Sequence, residues 1–124
     1  MKRKIENNIM HVLDDDGTTV LSVTVTTNED TTILAVSGSI THEAAPEFED
    51  ELMSVLTSGR DVAVDFASLE YISAPALNTL LSIQKLVDKK RYKFYIQNLS
   101  DPVKAIFEQS GFIDLIEIRM GEQK

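Results

Sequence analysis

The run Asp65-Phe66-Ala67-Ser68-Leu69-Glu70-Tyr71-Ile72-Ser73-Ala74-Pro75-Ala76-Leu77 brings a carboxylate, a hydroxyl and a helix start together. An apolar strand ends in an acid, and a short loop leads to a helix with Pro75 in its first turn, where a missing N–H is harmless. Helix N-termini present unpaired N–H groups and a positive dipole end. A partner can therefore read a residue in this loop differently with and without a phosphate on it. The carboxyl edge of a parallel sheet is also where open α/β folds place their sites.

Other constellations carry less chemistry. Glu43, Glu47, Glu49, Asp50 and Glu51 surround one helix without a base or metal ligand in register, and read as a solvated face. His11 and His42 are the only imidazoles and there is no cysteine, which excludes disulfides, thiolate chemistry, Cys-type zinc sites and a His-rich metal centre. No G-x-S-x-G elbow or G-x-x-x-x-G-K-[ST] loop is present, and the glycines are too dispersed for a dinucleotide fingerprint. Lys85, Lys89, Lys90, Arg91 and Lys93 cluster around a helix end, where cations complement exposed carbonyls; they also suit docking of an acidic partner. Neither an enzyme, a cofactor nor a metal is expected.

Bulk properties narrow the partners. A net charge of -8 argues against nucleic acid, because such binding works by releasing counterions from phosphates. No apolar run approaches the roughly 18 residues of a membrane span. No apolar stretch of signal-peptide length follows the basic Met1 to Lys4 before Asp14-Asp15-Asp16, so a cytoplasmic protein is expected. The 124 residues suit one core, which buries about two-thirds of the unfolded surface without a staple.

The elements that position the loop follow from periodicity. Ile5, Ile9, Val12 and Leu13 recur at helical spacing, predicting a marginal N-terminal helix that docks, pairs with another chain or frays. Val20 to Val25 and Thr32 to Ser37 read as a hairpin turning at Asn28-Glu29-Asp30, with Gly38 ending its second strand. Thr41 caps a helix whose stripe is Ala44, Ala45, Phe48, Leu52, Val55 and Leu56, stopped by Ser58-Gly59. Asp61 to Phe66 is a buried strand. A second helix spans about Pro75 to Lys89, with Leu77, Leu80, Leu81, Ile83 and Leu86 inward. Tyr92 to Gln97, a third helix over Val103 to Gln109 and a strand over Ile113 to Ile118 complete the order. The fold class is α/β: ββαβαβαβ behind an optional N-terminal helix, with a mostly parallel sheet of about five strands and an antiparallel edge. Residues 1–19 read as an extension, 20–118 as the domain and 119–124 as a tail.

Over about Val20 to Ile118 the chain resembles the STAS domain family, whose best-known members are bacterial anti-sigma factor antagonists. Gly38-Ser39-Ile40 is similar to its G-x-[LI] turn, and Val62-Ala63-Val64-Asp65-Phe66 to its strand ending in Asp. Leu69-Glu70-Tyr71-Ile72 and Ser73-Ala74-Pro75-Ala76-Leu77 stand where the family has a hydrophobic pair and a D-S-S-G-L or S-S-A-G-L loop. Asn98 to Val103 and Gly111-Phe112 resemble its strand-end turn, third helix and following Gly.

The resemblance implies a non-enzymatic module that binds a protein partner, an anti-sigma factor of the serine-kinase type, in partner-switching control of transcription. The surface it implies comprises Ser39, Thr41, His42, Ser73, Ala74, Pro75, Ala76, Asn78 and Ser82. The departures fall on that surface. Ala74 stands at the phosphoacceptor position and has no hydroxyl, Ala76 replaces a Gly, and Thr41 replaces an Asp. Ser73 is the alternative acceptor, although capping the second helix suits it better. The alternative is a structural or accessory subunit of a larger signalling or lipid-transport assembly, joined through the N-terminal stripe. A monomer or weak homo-oligomer is expected.

Overall fold

The computed structural model describes residues 2–28 and 30–119. Seven strands form one sheet in chain order: β1 (Lys2–Glu6), β2 (Ile9–Leu13), β3 (Thr19–Thr27), β4 (Thr31–Ile40), β5 (Asp61–Ile72), β6 (Phe94–Leu99) and β7 (Ile118–Arg119). Helices α1 (Ala45–Leu56), α2 (Ala74–Val87) and α3 (Asp101–Ser110) connect the last four. β1 to β4 are an antiparallel meander and β4 to β7 are parallel, so the sheet is mixed. Because the parallel strands follow one another across the sheet, right-handed crossovers put all three helices on one face. Among the described residues no helix is long and apolar enough to cross a membrane.

Burial records that one-sidedness. Met10, Val12, Leu21, Val23, Leu34, Val36, Val62, Val64, Phe66, Phe94 and Ile96 are buried in a single core with Phe48, Leu52, Leu80, Ile83, Val103 and Phe107 of the helices. Phe48 and Phe66 meet with ring centroids 6.2 Å apart, tilted by 44°. Of the other parity, His11, Ser22, Thr24, Ala35 and Gln97 remain at least partly exposed, while Ala63 in the middle of the sheet is buried. Polar contacts mark that open face: His11 Nδ1 lies 2.8 Å from Ser22 Oγ, and the Arg119 guanidinium lies 3.8 Å from the Tyr95 ring centroid.

The structure corrects several expectations. Residues 2–13 form the hairpin β1–β2 instead of a helix, which raises the strand count from about five to seven. Asn7 and Asn8 have φ of 54° and 66°, the paired positive values of a two-residue hairpin turn. Met10 and Val12 alternate into the core, and Ile5 of the supposed stripe stays exposed. Gly38 does not end β4, which runs on to Ile40. Its φ is +95°, and a Cβ there would lie 2.4 Å from the Val20 carbonyl oxygen, so the chain needs glycine to bring β3 and β4 together.

β5 likewise continues past Phe66 to Ile72, through shifts of register against both neighbours. On α2 the inward stripe is Ala76, Leu77, Leu80, Ile83 and Val87, which turns Leu86 outward. The strand expected over Ile113 to Ile118 is reduced to β7, because Phe112–Asp114 makes a 3-10 turn after left-handed Gly111. Glu29 of the expected turn, and the expected tail beyond Arg119, lie outside the described residues.

Two measurements check this packing. Gly38→Ala should lower stability by about 3 kcal/mol or more in denaturant titration, since it adds backbone strain to a clash. Removing residues 1–8 should lower it by about 1 kcal/mol at most, because exposed β1 is joined to α1 mainly by the ion pairs of Arg3 with Glu47 and Asp50. Removing residues 1–13 also takes Met10 and Val12 from the core and should lower it by about 3–6 kcal/mol.

Candidate partner-binding site

β4 and β5 end side by side at the edge where α1, α2 and α3 begin. Ser39 pairs with Tyr71 and Ile40 with Ile72, and the Ser73 N–H continues the ladder by donating to the Ile40 carbonyl at 2.9 Å. Buried Ile40 and Ile72 anchor the two strand ends. The structure thus sets Ser39, Thr41 and His42 next to Ser73, Ala74, Pro75 and Ala76.

Each segment has a local cause. The Thr41 hydroxyl accepts the Ala44 N–H at 3.1 Å and its carbonyl accepts the Ala45 N–H at 3.0 Å. Thr41 therefore closes the turn that precedes α1, instead of capping the helix directly, and leaves His42 exposed. Ser73 occupies the N-cap position of α2 with extended backbone, and its carbonyl accepts the Leu77 N–H at 3.0 Å. Its hydroxyl does not cap the helix as expected. The residue is only 3% exposed and its Oγ has no hydrogen-bond partner.

Ala74 is exposed at the start of α2, Pro75 is half-buried and Ala76 is fully buried, where its small side chain fits the core. Asn78 and Ser82 follow Ala74 at intervals of four and make one exposed strip down α2. Ser82 lies about 12 Å along the helix from Ala74, so it belongs to a long face and not to the strand-end cluster.

Asp65 is engaged in holding this edge in shape. Its carboxylate accepts the Ala67 N–H at 2.9 Å, Gln97 Nε2 at 3.0 Å and Asn98 Nδ2 at 3.2 Å. It thereby bridges the irregular part of β5 to the end of β6, where Asn98 has φ +64°. The Ser100 hydroxyl adds a tie to the Leu69 carbonyl and accepts the Val103 N–H, capping α3.

Sequence reasoning missed two parts of the site. An open groove of about 570 Å³ beside Thr41 is lined by Asp14, Asp15, Val20, Thr41 and Glu43. Asp14-Asp15-Asp16-Gly17 is by composition a solvated turn signal, but its place against Thr41 follows from the added strand β2. Within that turn, hydrogen bonding to the Asp14 carboxyl and then to the Thr18 hydroxyl and N–H holds the Asp16 carboxyl below the usual carboxylate range. The second part is Tyr71, 47% exposed beside Ser39, one of two exposed residues between buried Leu69 and Ile72 where the pairing with β4 shifts register. Among the described residues no group of three or more His, Asp or Glu is placed to hold a metal ion.

Replacing Ser73 by Ala distinguishes burial from capping. Loss of a working N-cap lowers stability by about 1 kcal/mol, whereas loss of an unpaired buried hydroxyl should leave it unchanged or raise it by up to about 1 kcal/mol. Thermal or denaturant melting of Ser73→Ala is expected to give the second result.

Comparisons with known proteins agree with this architecture. The family described as STAS domain matches residues 22–124. The anti-sigma-B factor antagonist of Bacillus subtilis is 24% identical over 98 residues, covering 79% of this chain and 90% of the relative. The corresponding protein of Staphylococcus aureus is 25% identical over 104 residues, covering 83% and 96%. Among solved structures, an anti-sigma factor antagonist from Mycobacterium paratuberculosis superposes with a TM-score of 0.72 at 16% identity, over 87% of this chain and 90% of that one.

Proposed function

The chain belongs to the STAS domain family, and from that premise we propose that it is a non-enzymatic binding protein that engages an anti-sigma factor of the serine-kinase type. The reading places the interface on the Ser39–His42 turn, the Ser73–Ala76 loop and the exposed strip of α2 through Asn78 and Ser82. Curated relatives at 24% and 25% identity are named anti-sigma-B factor antagonists, which supports this class of partner. Binding in the cytoplasm, with release of a sigma factor, is the corresponding outcome.

One observation carries the proposal: the end of the β4–β5 ladder brings the two loop segments together, and Ala74 is exposed there at the start of α2. With no oxygen at that position, a kinase has nothing to phosphorylate. The neighbouring Ser73 hydroxyl is buried, so phosphorylating it requires the start of α2 to open. The chain then stays in a binding-competent form, and its effect is set by its amount or by a further protein.

Ala74→Asp separates interface from fold. A carboxylate in the first helical turn meets the positive dipole end and changes stability by about 0.3–1 kcal/mol, in the favourable direction. At a packed interface the same charge must be desolvated, which weakens binding by several kcal/mol, or about a hundredfold and more. Calorimetric titration with the cognate anti-sigma factor should therefore show lost affinity beside a melting temperature that is unchanged or slightly raised, while Ala74→Ser binds normally. Equal binding by Ala74→Asp would remove this loop from the interface.

A further inference from the structure

β1 is an outer strand of the sheet, and all five of its residues are exposed. Its hairpin turns through two residues, Asn7 and Asn8, so the closing pair Glu6–Ile9 exchanges both backbone hydrogen bonds and the alternation runs back along the strand. Glu6 and Lys4 therefore aim their backbone groups at β2. Arg3 and Ile5 aim theirs away from it, and among the described residues no strand takes them up.

The side chains of β1 alternate between the two faces of the sheet. Ile5, opposite buried Met10, lies on the helix side, 73% exposed at the rim of an open groove of about 400 Å³ that it shares with Met10, Val23 and Val25. Lys4 and Glu6 lie on the open face, with Nζ and Oε2 3.5 Å apart.

Charged residues on an edge strand usually keep other chains from adding to it. On β1 they select a register instead. An antiparallel second β1 must set outward residue against outward residue, which leaves three registers: Arg3 on Arg3, Arg3 on Ile5, and Ile5 on Ile5 of the second copy. The first opposes Lys2 to Lys4 and the second opposes Lys4 to Lys4, which places like charges in the close, non-hydrogen-bonded pairs. The third opposes Lys4 to Glu6 twice, on either side of an Ile5 pair, and sets no like charges together.

We propose that two copies of the chain pair through β1 in this third register, about a two-fold axis normal to the sheet and midway between the two Ile5 residues. Each Ile5 donates its N–H to the carbonyl of the other, and the two apolar side chains meet on the helix side. On the open face the Lys4 and Glu6 of one copy oppose the Glu6 and Lys4 of the second. α1 packs on β4, β5 and α2, and β2 and β3 lie between those strands and the junction. So small an interface makes a weak dimer. It uses neither the Ser39–His42 turn nor the Ser73–Ala76 loop and does not depend on the proposed anti-sigma partner.

Sedimentation velocity of the full chain alone, from about 1 µM to about 1 mM, covers the range in which such a dimer dissociates. A reversible monomer–dimer equilibrium is expected. Ile5→Pro removes the outward N–H, which β2 does not use, and should raise Kd by at least about tenfold while the melting curve at the lowest concentration stays unchanged. Lys4→Glu and Glu6→Lys should each weaken the dimer as well, because each sets like charges opposite one another twice. Mixed one to one, these two variants oppose only unlike charges and should pair with each other at least about tenfold more tightly than either pairs with itself. Three results overturn the proposal: a chain monomeric throughout the series, a Kd indifferent to Ile5→Pro, or a mixture of the two charge variants that associates no more tightly than its components.

Discussion

The bond from the Ser73 N–H to the Ile40 carbonyl closes the parallel ladder between β4 and β5, and the edge that carries the candidate site depends on it. These two strands are long, and their pairing is interrupted twice before it reaches Ile40 and Ile72. Each irregularity has its own support. Gly38 lets the β4 backbone approach Val20 more closely than any Cβ permits, and the Asp65 carboxylate takes up the Ala67 N–H where β5 leaves its register with β6. Without these two devices the ladder would drift, and the loop at the start of α2 would no longer lie against the turn at the end of β4.

One-sided packing explains why so few residues govern the core and so many remain available at the surface. A sheet covered on one face needs apolar residues at alternate positions only, so serines, threonines, a histidine and an aspartate can occupy the other parity of β2 to β6 without burying unpaired polar groups. The same arrangement concentrates the core demand on the inner stripe of each helix. Ala76 satisfies it where α2 meets the sheet, and Leu86, one position out of phase with Val87, cannot.

Much of this was legible in the sequence. Helix caps at Ser100 and Gly111, the continuous apolar run of β5 and the change from period two to helical spacing gave the ββαβαβαβ order, and the strand ending at Asp65 before a helix with Pro75 in its first turn located the loop. What could not be read depends on pairing between distant segments. Ile5, Ile9, Val12 and Leu13 fit a helical stripe as well as two short strands, and only the partner strand β3 makes Met10 and Val12 the inward pair. Extension of β4 through Gly38 and of β5 through Ala67 and Ser68 rests on neighbouring backbones, because local propensity places a break at each. For the same reason the acidic groove at Thr41 was invisible until β2 had joined the sheet.

Adjacent positions 73 and 74 divide between them what a phosphorylation switch needs in one residue. Extended backbone at Ser73 followed by helical backbone at Ala74 sends successive side chains into different surroundings, so the hydroxyl falls inside and the exposed position has none. Bringing the Ser73 oxygen to the surface would break its N–H bond to Ile40 and disturb the first helical bond, from Leu77 to the Ser73 carbonyl. Leaving it inside would bury a phosphate without a cation, which is worth far more than either bond. In the proposed reading, covalent charge is therefore not an economical way to regulate this loop. Packing against the partner, and the concentration of the chain available to make it, set occupancy instead.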